Sequence, residues 1–245
     1  MKFYYSKKLA QFPNLIHAFT MKHSGNLAFH VGDDELHVEK NHEVLAKELG
    51  YNKESLVYMK QIHSDIVHVV SDEDFNSPPT CDALITNKPN TPLMVMVADC
   101  SPILFYDNEK KVIAVAHAGR AGAFKNIIKN VINTMVERFS SDPINIYVSI
   151  GASIGVCCYE VGIEIYLEAK SLGFEYAIYK RDEKFYLDVS KILEKELLEC
   201  GITKQHIENL SKCTSCNIDK YFSYRAEKQT GRFAGILMLG SFKSL

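Results

Sequence analysis

The sequence predicts a single α+β domain in which mixed β-sheets are flanked by helices. Runs of β-branched and aromatic residues alternate with amphipathic helical patterns, and a polar turn between two central apolar runs indicates an antiparallel hairpin. The chain has 245 residues, of which 47% are hydrophobic, and this is ample for a core. No repeat or low-complexity segment divides the chain, so we expect one domain over residues 1–245.

The first third of the chain predicts short strands around one helix. Strands are predicted over residues 15–20, 55–59, 66–70 and 81–86, and an amphipathic helix over 38–49 ends at Gly50. Residues 26–34 are rich in His, Asn and Asp, which indicates either turns or the wall of a pocket. His63 lies at the break between two strands, where it would serve either a cleft or a structural hydrogen bond.

The central hairpin carries a cysteine and a histidine near the ends of its strands. Cys100 and His117 each follow an apolar run. If Tyr106 pairs with Lys111, the same register places Cys100 directly opposite His117. Directly opposed residues share a face with Cβ atoms roughly 5 Å apart, so both side chains could bind one metal ion.

The second half of the chain predicts three helices and two further strands. We expect helices over 124–139, 164–172 and 191–199, the last capped by Ser190, and strands over 144–150 and 236–239. Gly119 precedes the first of these helices. The amides after it could bind an anion, or the glycines of this turn could simply allow close packing on the sheet.

Four of the cysteines form two short pairs. Adjacent cysteines point in different directions in regular structure, so we expect Cys157 and Cys158 to line or back a pocket rather than bind a metal. The spacing of Cys213 and Cys216 is typical of zinc ligands, but no second pair of ligands follows downstream. We therefore expect no structural zinc at this second pair.

A candidate metal site combines His63 with Cys100 and His117. Two imidazoles and a thiolate suit zinc, and three protein ligands leave the fourth position for water, which is the catalytic pattern. Asp99 and Asp65 lie close to these residues in sequence and could orient the ligands. The alternative without a metal uses Cys100 as nucleophile and His117 as base.

Composition narrows the range of partners. The formal net charge is −2 and no basic run is present, so we expect no nucleic acid partner. No apolar run reaches the length of a membrane span, and residues 1–8 lack an apolar signal region, so we expect a cytoplasmic protein that binds no membrane. None of the nine histidines lie two residues apart, which argues against a multicopper site.

Several short motifs, taken in order, resemble one known family. They are Asn26-Leu27 with residues 30–33, Gln61 with His63, residues 81–86, Asp99-Cys100 with Pro102, residues 117–119, 151–155 and 158–161, Cys213-Thr214, and residues 222–225 and 230–232. Together they resemble the YfiH-like laccase-domain proteins. These are also called polyphenol oxidase-like proteins or peptidoglycan editing factors, and they are regarded as purine nucleoside phosphorylases. The resemblance implies a catalytic domain with a layered α/β/β/α architecture.

The resemblance also implies a zinc site and nucleoside chemistry. In the family, the positions matching His63, Cys100 and His117 bind zinc, and we expect zinc in preference to copper. The implied reactions are phosphorolysis of adenosine, inosine or methylthioadenosine, with phosphate as co-substrate, and deamination of adenosine. The candidate substrate-binding residues are Asn26, His30, Gly119, Arg225 and Arg232, among which the arginines suit an anionic group.

One segment departs from the family pattern. Family members usually follow His-Ala-Gly with Trp-Arg-Gly, whereas Arg120 and Ala121 follow Gly119 here. An arginine displaced by one residue on a strand or tight turn points in a different direction. We therefore do not expect Arg120 to replace the family's arginine directly.

Two other functions stay open on the sequence alone. A hydrolase that edits a cytoplasmic peptidoglycan precursor would use the same three zinc ligands. A non-catalytic, zinc-stabilised binding domain would be favoured by a fourth protein ligand, such as His30 or Cys81, that closes the metal site.

Overall fold

The computed structural model describes residues 3–75 and 77–240, which contain thirteen strands and six α-helices. The strands are β1 (Phe3–Tyr4), β2 (Leu15–Thr20), β3 (Val67–Val69), β4 (Ala83–Thr86), β5 (Leu93–Val97), β6 (Ser101–Asp107), β7 (Val112–Ala118), β8 (Ile146–Ile150), β9 (Glu160–Val161), β10 (Ile178–Arg181), β11 (Lys184–Leu187), β12 (Ile207–Asn209) and β13 (Phe233–Leu239). The helices are α1 (Glu35–Leu49), α2 (Arg120–Phe124), α3 (Ile127–Phe139), α4 (Ile163–Ser171), α5 (Val189–Glu199) and α6 (Tyr224–Glu227). The ends of the predicted domain, residues 1–2 and 241–245, lie outside the described residues.

The strands form three sheets. One antiparallel sheet has the order β1-β2-β13-β5, and a small antiparallel sheet has the order β10-β11-β9. The largest sheet has the order β12-β8-β6-β7-β4-β3, and it is mixed because its two outermost pairs, β12 with β8 and β3 with β4, are parallel. Among the helices of these described residues, none is long and apolar enough to cross a membrane.

Apolar side chains join the two larger sheets and the helices into layers. The core between the sheets includes Phe19 and Phe233 from one sheet and Leu104 from the other. Helix α1 covers the outer face of the four-stranded sheet, and α3 and α5 cover the outer face of the six-stranded sheet. This order of layers confirms the predicted single α+β domain with α/β/β/α architecture.

Strands β6 and β7 are buried at every position, and most of their residues are apolar because both faces of the sheet are covered. Alternate residues of β6 face opposite sides, so that Ile103 packs toward the helices and Leu104 toward the other sheet. On β7, Val115 faces the other sheet, and His117 lies two residues further along the same face. The imidazole of His117 therefore lies at the end of the space between the two sheets.

The hairpin register differs from the predicted one by two residues. Tyr106 pairs with Ile113 rather than Lys111, and His117 pairs with Pro102 rather than Cys100. The four-residue turn therefore lies at residues 108–111, one residue further along the chain than the predicted turn at 107–110. Because side chains alternate with a period of two, a shift of two residues leaves Cys100 and His117 on the same side of the hairpin.

The chain changes sheets between β5 and β6, and this corner presents Cys100. Asp99 adopts a left-handed conformation with φ of 88°. Its carboxylate accepts hydrogen bonds from Thr214 Oγ1 at 2.5 Å, Ser223 Oγ at 2.7 Å and the Arg225 backbone N–H at 2.6 Å. These three donors hold an otherwise unfavourable backbone conformation, and they join the corner to the C-terminal segment.

Three local predictions were wrong. Residues 55–59 form no strand, since only isolated bridges occur at Val57 and Lys60. The N-cap of α5 is Asp188 rather than Ser190, and the Asp188 side chain accepts a hydrogen bond from the Lys191 backbone N–H. The helix predicted over 124–139 is divided into α2 and α3, because Asn126 takes the left-handed conformation with φ of 61°.

A buried carboxyl group from α5 supports the start of α3. Glu196 Oε1 accepts the backbone N–H of Lys129 at 3.0 Å, in the first turn of α3, where no intrahelical acceptor exists. Oε2 of Glu196 has no hydrogen-bond partner. Burial raises the pKa of Glu196 from 4.5 to about 7.

Candidate functional site

His63, Cys100 and His117 converge at one end of the space between the two larger sheets. The candidate ligand atoms of the three side chains all lie within 4.8 Å of one another. Cys100 Sγ is 3.8 Å from His63 Nε2, and the two imidazole rings are 4.8 Å apart between centroids. The three residues singled out from the sequence therefore form one cluster, although they come from a loop, a corner and a strand.

Asp82, just before β4, connects the two histidines. It is fully buried, and its Oδ1 accepts from His117 Nδ1 at 2.7 Å and from the His63 backbone N–H at 3.1 Å. Its Oδ2 accepts from the Ser64 backbone N–H and hydroxyl, both at 2.6 Å, and from the Ile62 backbone N–H at 3.2 Å. Asp82 thus orients one imidazole directly and holds the loop that carries the other, in which His63 has φ of 57°.

The hydrogen bond to Asp82 decides which nitrogen of His117 can bind a metal. A carboxylate only accepts, so Nδ1 of His117 carries a proton and Nε2 is the nitrogen left for a ligand. Burial of the Cys100 thiol acts to raise its pKa, but His117 and His63 outweigh burial and lower the pKa to about 6. Burial likewise acts to lower the pKa of His117, but Cys100 and Asp82 together raise it to about 9.

Gly119 allows the close approach of the hairpin end to Cys100. A Cβ atom at position 119 would lie 2.6 Å from Cys100 Sγ and 3.5 Å from His63 Cδ2. The first distance is far below van der Waals contact, so any side chain at this position would displace the sulfur. The turn therefore needs glycine for space, since its φ of −86° is available to every residue.

The donor set fits a zinc ion that would be held by three protein ligands. Two imidazole nitrogens and a thiolate that is readily ionised are typical zinc ligands. Within the part of the chain that the structure describes, this group has three members, and neither His30 nor Cys81 joins it. Cys81 is fully buried, and burial raises the pKa of its thiol to about 12, which makes it a poor ligand.

The cluster lies in the wall of a cavity of about 940 Å³, which is large enough for a nucleoside. Five basic side chains line the cavity: Lys60, Arg120, Arg225, Lys228 and Arg232. The carboxylate of Asp99 also lies there, but three donors already bind it. Aromatic side chains on the walls are Phe29, Tyr58, Tyr159 and Tyr224. The cavity therefore combines positive charge, which suits an anion, with flat apolar surfaces, which suit a planar ring.

Four of the five candidate substrate-binding residues line this cavity, namely His30, Gly119, Arg225 and Arg232. Asn26 does not. Its Oδ1 accepts the backbone N–H groups of Ala28 and Arg232, and its Nδ2 donates to Ala28 O and to Asp33 Oδ2. Asn26 therefore holds the backbone that presents Arg232 and has no amide group left for a substrate.

The cavity arginines are held by different contacts. The Arg225 guanidinium lies over the Tyr159 ring at 5.2 Å and donates to Glu160 O. Arg120 is the first residue of α2 and lines the cavity, but its Nη1 donates to Glu168 Oε2 at 2.6 Å. Arg120, which is displaced by one residue from the family's arginine, thus lines the cavity while its guanidinium is paired with the Glu168 carboxylate.

The acidic residues near the ligands have other roles than the sequence predicted. Asp99 binds the C-terminal segment, as described above, and Asp65 accepts from Asn130 Nδ2 through its Oδ2 at 3.0 Å. Neither contacts a ligand side chain, whereas Asp82 does. The pairing of β4 with β7, which sets Ala83 opposite Ala116, would have identified Asp82 as the neighbour of His117.

The two remaining cysteine pairs, predicted not to bind a metal, lie next to each other. The sulfur atoms of Cys157, Cys158, Cys213 and Cys216 all lie within 4.8 Å of one another, so the two pairs form a second potential ligand group. Adjacent cysteines diverge in regular structure, but residues 156–158 form a turn, in which successive side chains can point the same way. The second pair of ligands lies upstream of Cys213 rather than downstream.

Comparisons with known proteins identify relatives of this chain. A family model described as multi-copper polyphenol oxidoreductase laccase matches residues 18–240. A Corynebacterium glutamicum protein named purine nucleoside phosphorylase is 37% identical over 220 residues, which cover 88% of this chain and 87% of that protein. The purine nucleoside phosphorylase YfiH of Escherichia coli K12 is 31% identical over 219 residues, which cover 87% and 86% of the two chains.

Solved structures show the same fold over nearly the whole chain. A Bacillus licheniformis hypothetical protein YfiH superposes with a TM-score of 0.88 at 29% identity, covering 94% of each chain. YlmD from Geobacillus stearothermophilus has a TM-score of 0.88 at 26% identity, covering 96% of this chain and 94% of that one. The chain therefore belongs to the YfiH-like laccase-domain family, whose model is described as multi-copper polyphenol oxidoreductase laccase.

Proposed function

We propose that this protein is a zinc-dependent purine nucleoside phosphorylase for adenosine, inosine and methylthioadenosine, which also deaminates adenosine. The observation that carries the proposal is the position of the His63–Cys100–His117 cluster in the wall of a basic, aromatic-lined cavity. The relatives named purine nucleoside phosphorylase, which match most of the chain, support the same class of reaction.

Phosphorolysis requires a phosphate held next to C1′ of the ribose while the bond from C1′ to the base breaks. Arg225 and Arg232 supply guanidinium groups that match phosphate in charge and geometry. The aromatic rings of Tyr159 and Phe29 offer surfaces on which a purine can stack. The products are the free base and ribose 1-phosphate.

His63, Cys100 and His117 would hold the zinc ion, with Asp82 orienting His117 and holding the loop of His63. When bound, zinc supplies Lewis acidity and activates water, which suits replacement of the amino group at C6 of adenine. Cys100 contributes as a thiolate, since the adjacent histidines lower its pKa to about 6. Gly119 keeps the space in which the sulfur sits.

The number of protein ligands separates this proposal from a non-catalytic binding domain. A structural zinc site is closed by four protein ligands. Among the residues that the structure describes, the group that contains Cys100 offers three ligands. A hydrolase acting on a peptidoglycan precursor would use the same three ligands. The two enzymatic functions are therefore distinguished by which substrate the protein converts.

The decisive experiment incubates purified, zinc-containing protein with inosine, with and without phosphate, and with adenosine. We expect hypoxanthine and ribose 1-phosphate only when phosphate is present, and ammonia from adenosine. Cys100→Ala should lose both activities while its circular dichroism spectrum stays that of the wild type. If the zinc-containing wild type releases neither hypoxanthine nor ammonia, and instead cleaves a peptidoglycan precursor run in parallel, the nucleoside proposal is wrong.

A further inference from the structure

A second cluster of metal-ligating side chains lies apart from the His63–Cys100–His117 group. Cys157 and Cys158 belong to the turn at 156–158, and Cys213 and Cys216 belong to the loop after β12. Cys216 Sγ lies 3.5 Å from Cys157 Sγ and 3.3 Å from Cys158 Sγ. All four sulfur atoms lie within 4.8 Å of one another, and we call these residues the four-cysteine cluster.

The spacing of the sulfurs fits a single tetrahedral ion. Zinc binds thiolate sulfur at about 2.3 Å, and a regular tetrahedron with that radius has sulfur–sulfur edges of about 3.8 Å. The observed separations, which begin at 3.3 Å and do not exceed 4.8 Å, bracket this value. Four thiolates this close repel one another strongly, and a dication between them removes the repulsion.

The turn beside the four-cysteine cluster is closely packed at Gly155. A Cβ atom at Gly155 would lie 3.2 Å from Cys157 Sγ and 3.2 Å from Cys213 Cβ, so glycine leaves the sulfurs their space.

The two segments are also held together before any metal binds. Ser153 and Cys213 form a parallel bridge, in which the Ser153 N–H donates to Lys212 O and the Thr214 N–H donates to Ser153 O. Cys157 and Cys216 are exposed, so a metal ion can reach the sulfurs from solvent. The cluster is therefore preformed and accessible, which are two requirements of a metal site.

We propose that Cys157, Cys158, Cys213 and Cys216 bind one zinc ion through four thiolates. Four protein ligands close the coordination sphere, so this site is structural and separate from the three-ligand site. It joins the segment after β8 to the segment after β12, and both segments continue into the cavity wall.

The position of this second site suggests what it supports. Thr214, next to Cys213, donates to the Asp99 carboxylate that holds the corner before Cys100. On the other side, Tyr159 follows Cys158 directly and lines the cavity. A zinc ion at the four-cysteine cluster therefore stabilises the backbone on which the cavity depends, without contacting a substrate.

The test counts metal ions in protein purified under reducing conditions and exchanged with zinc. We expect two zinc ions per chain in the wild type, one in Cys100→Ala, and one in Cys213→Ser. The matched control is Cys200→Ser, a half-buried cysteine outside both groups, which should keep two. These counts do not depend on enzymatic activity, so they stand or fall separately from the proposed function.

Cobalt substitution of the Cys100→Ala protein gives a second measurement that needs no change in the four-cysteine cluster. We expect an intense thiolate-to-cobalt charge-transfer band at one cobalt per chain. If the Cys100→Ala protein shows no such band with cobalt and contains no zinc, the site is refuted. Iron in place of zinc also overturns the zinc assignment. So does a disulfide, which a thiol titration would reveal as two missing thiols among the six that this variant retains.

Discussion

Replacing Asp82 by asparagine should weaken zinc binding at the site formed by His63, Cys100 and His117. The carboxylate accepts two hydrogen bonds on Oδ1, from His117 Nδ1 and the His63 N–H, and three on Oδ2. Asparagine keeps one acceptor oxygen. In either orientation of its amide, at least two of the five donors face an NH₂ group instead of an acceptor.

The size of the effect follows from these contacts. A buried donor that loses its acceptor costs about 1–3 kcal/mol, and for two donors, one of which lies near the surface at His63, we expect about 2–4 kcal/mol less stability. Loss of the group that orients a metal-ligating histidine weakens metal binding by about 10–100-fold. In free energy, that loss of affinity is about 1.4–2.7 kcal/mol.

The assay is a competition titration of zinc against a chromophoric chelator, which reads the affinity of the site that Cys100→Ala removes. Chemical denaturation of the zinc-free proteins gives the stability separately. Asp65→Asn is the matched control, since Asp65 contacts Asn130 and no ligand, and it should bind zinc as tightly as the wild type. If Asp82→Asn loses stability but binds zinc as tightly as Asp65→Asn, Asp82 does not orient the ligand and the reasoning fails.

Three further variants test other parts of the structure. Gly119→Ala should lower nucleoside turnover more than tenfold, because its Cβ would press on the Cys100 sulfur, whereas Gly122→Ala, with no contact below 3.4 Å, should change neither zinc content nor turnover. Glu196→Gln should raise the free energy of unfolding at pH 8 by about 1–3 kcal/mol and change it little at pH 4, as measured by urea denaturation. Arg225→Gln should raise the KM for phosphate about tenfold, and the exposed Arg138→Gln should not; equal KM values would remove Arg225 from the phosphate site.

The sign of the Glu196 effect follows from its pKa in the two states. The folded-state pKa is raised to about 7, above the 4.5 expected for the unfolded chain. Between these values the unfolded chain releases its proton while the folded protein retains it, so the folded wild type loses relative stability as the pH rises from about 4.5 to about 7. Glutamine cannot ionise, and it therefore avoids this loss. An equal effect of the substitution at pH 4 and pH 8 would contradict a buried, protonated carboxyl.

The three candidate ligands were accessible from the sequence because each lies at the end of an apolar strand or in a short break between strands. The exact pairing of the two hairpin strands was not accessible from the sequence. The predicted pairing of Tyr106 with Lys111 was two residues off, because the turn begins one residue later than predicted and the residues of a polar turn only weakly specify where each strand ends. The prediction that Cys100 and His117 lie together survived because the error was an even number of residues, which preserves the face of each side chain.

The helix after the hairpin was also predicted only in part. The three-and-four spacing of apolar residues correctly placed most of α3 against the sheet. The break at Asn126 was not predicted. Glu196 of α5 accepts the Lys129 N–H in the first turn of α3, so a residue far along the chain supports the start of this helix.

The sequence by itself determined the α+β fold class, the family, and the three candidate ligands His63, Cys100 and His117, which the structure brings into one cluster. The fold class rests on local periodicity, and the family rests on short motifs that follow one another in order along the chain. Only the tertiary structure identified Asp82 as the group that orients His117, removed Asn26 from the cavity wall, and joined Cys157 and Cys158 with Cys213 and Cys216. The physical reason is that such contacts depend on loop conformation and on the crossing of distant segments, neither of which leaves a periodic signal in the sequence.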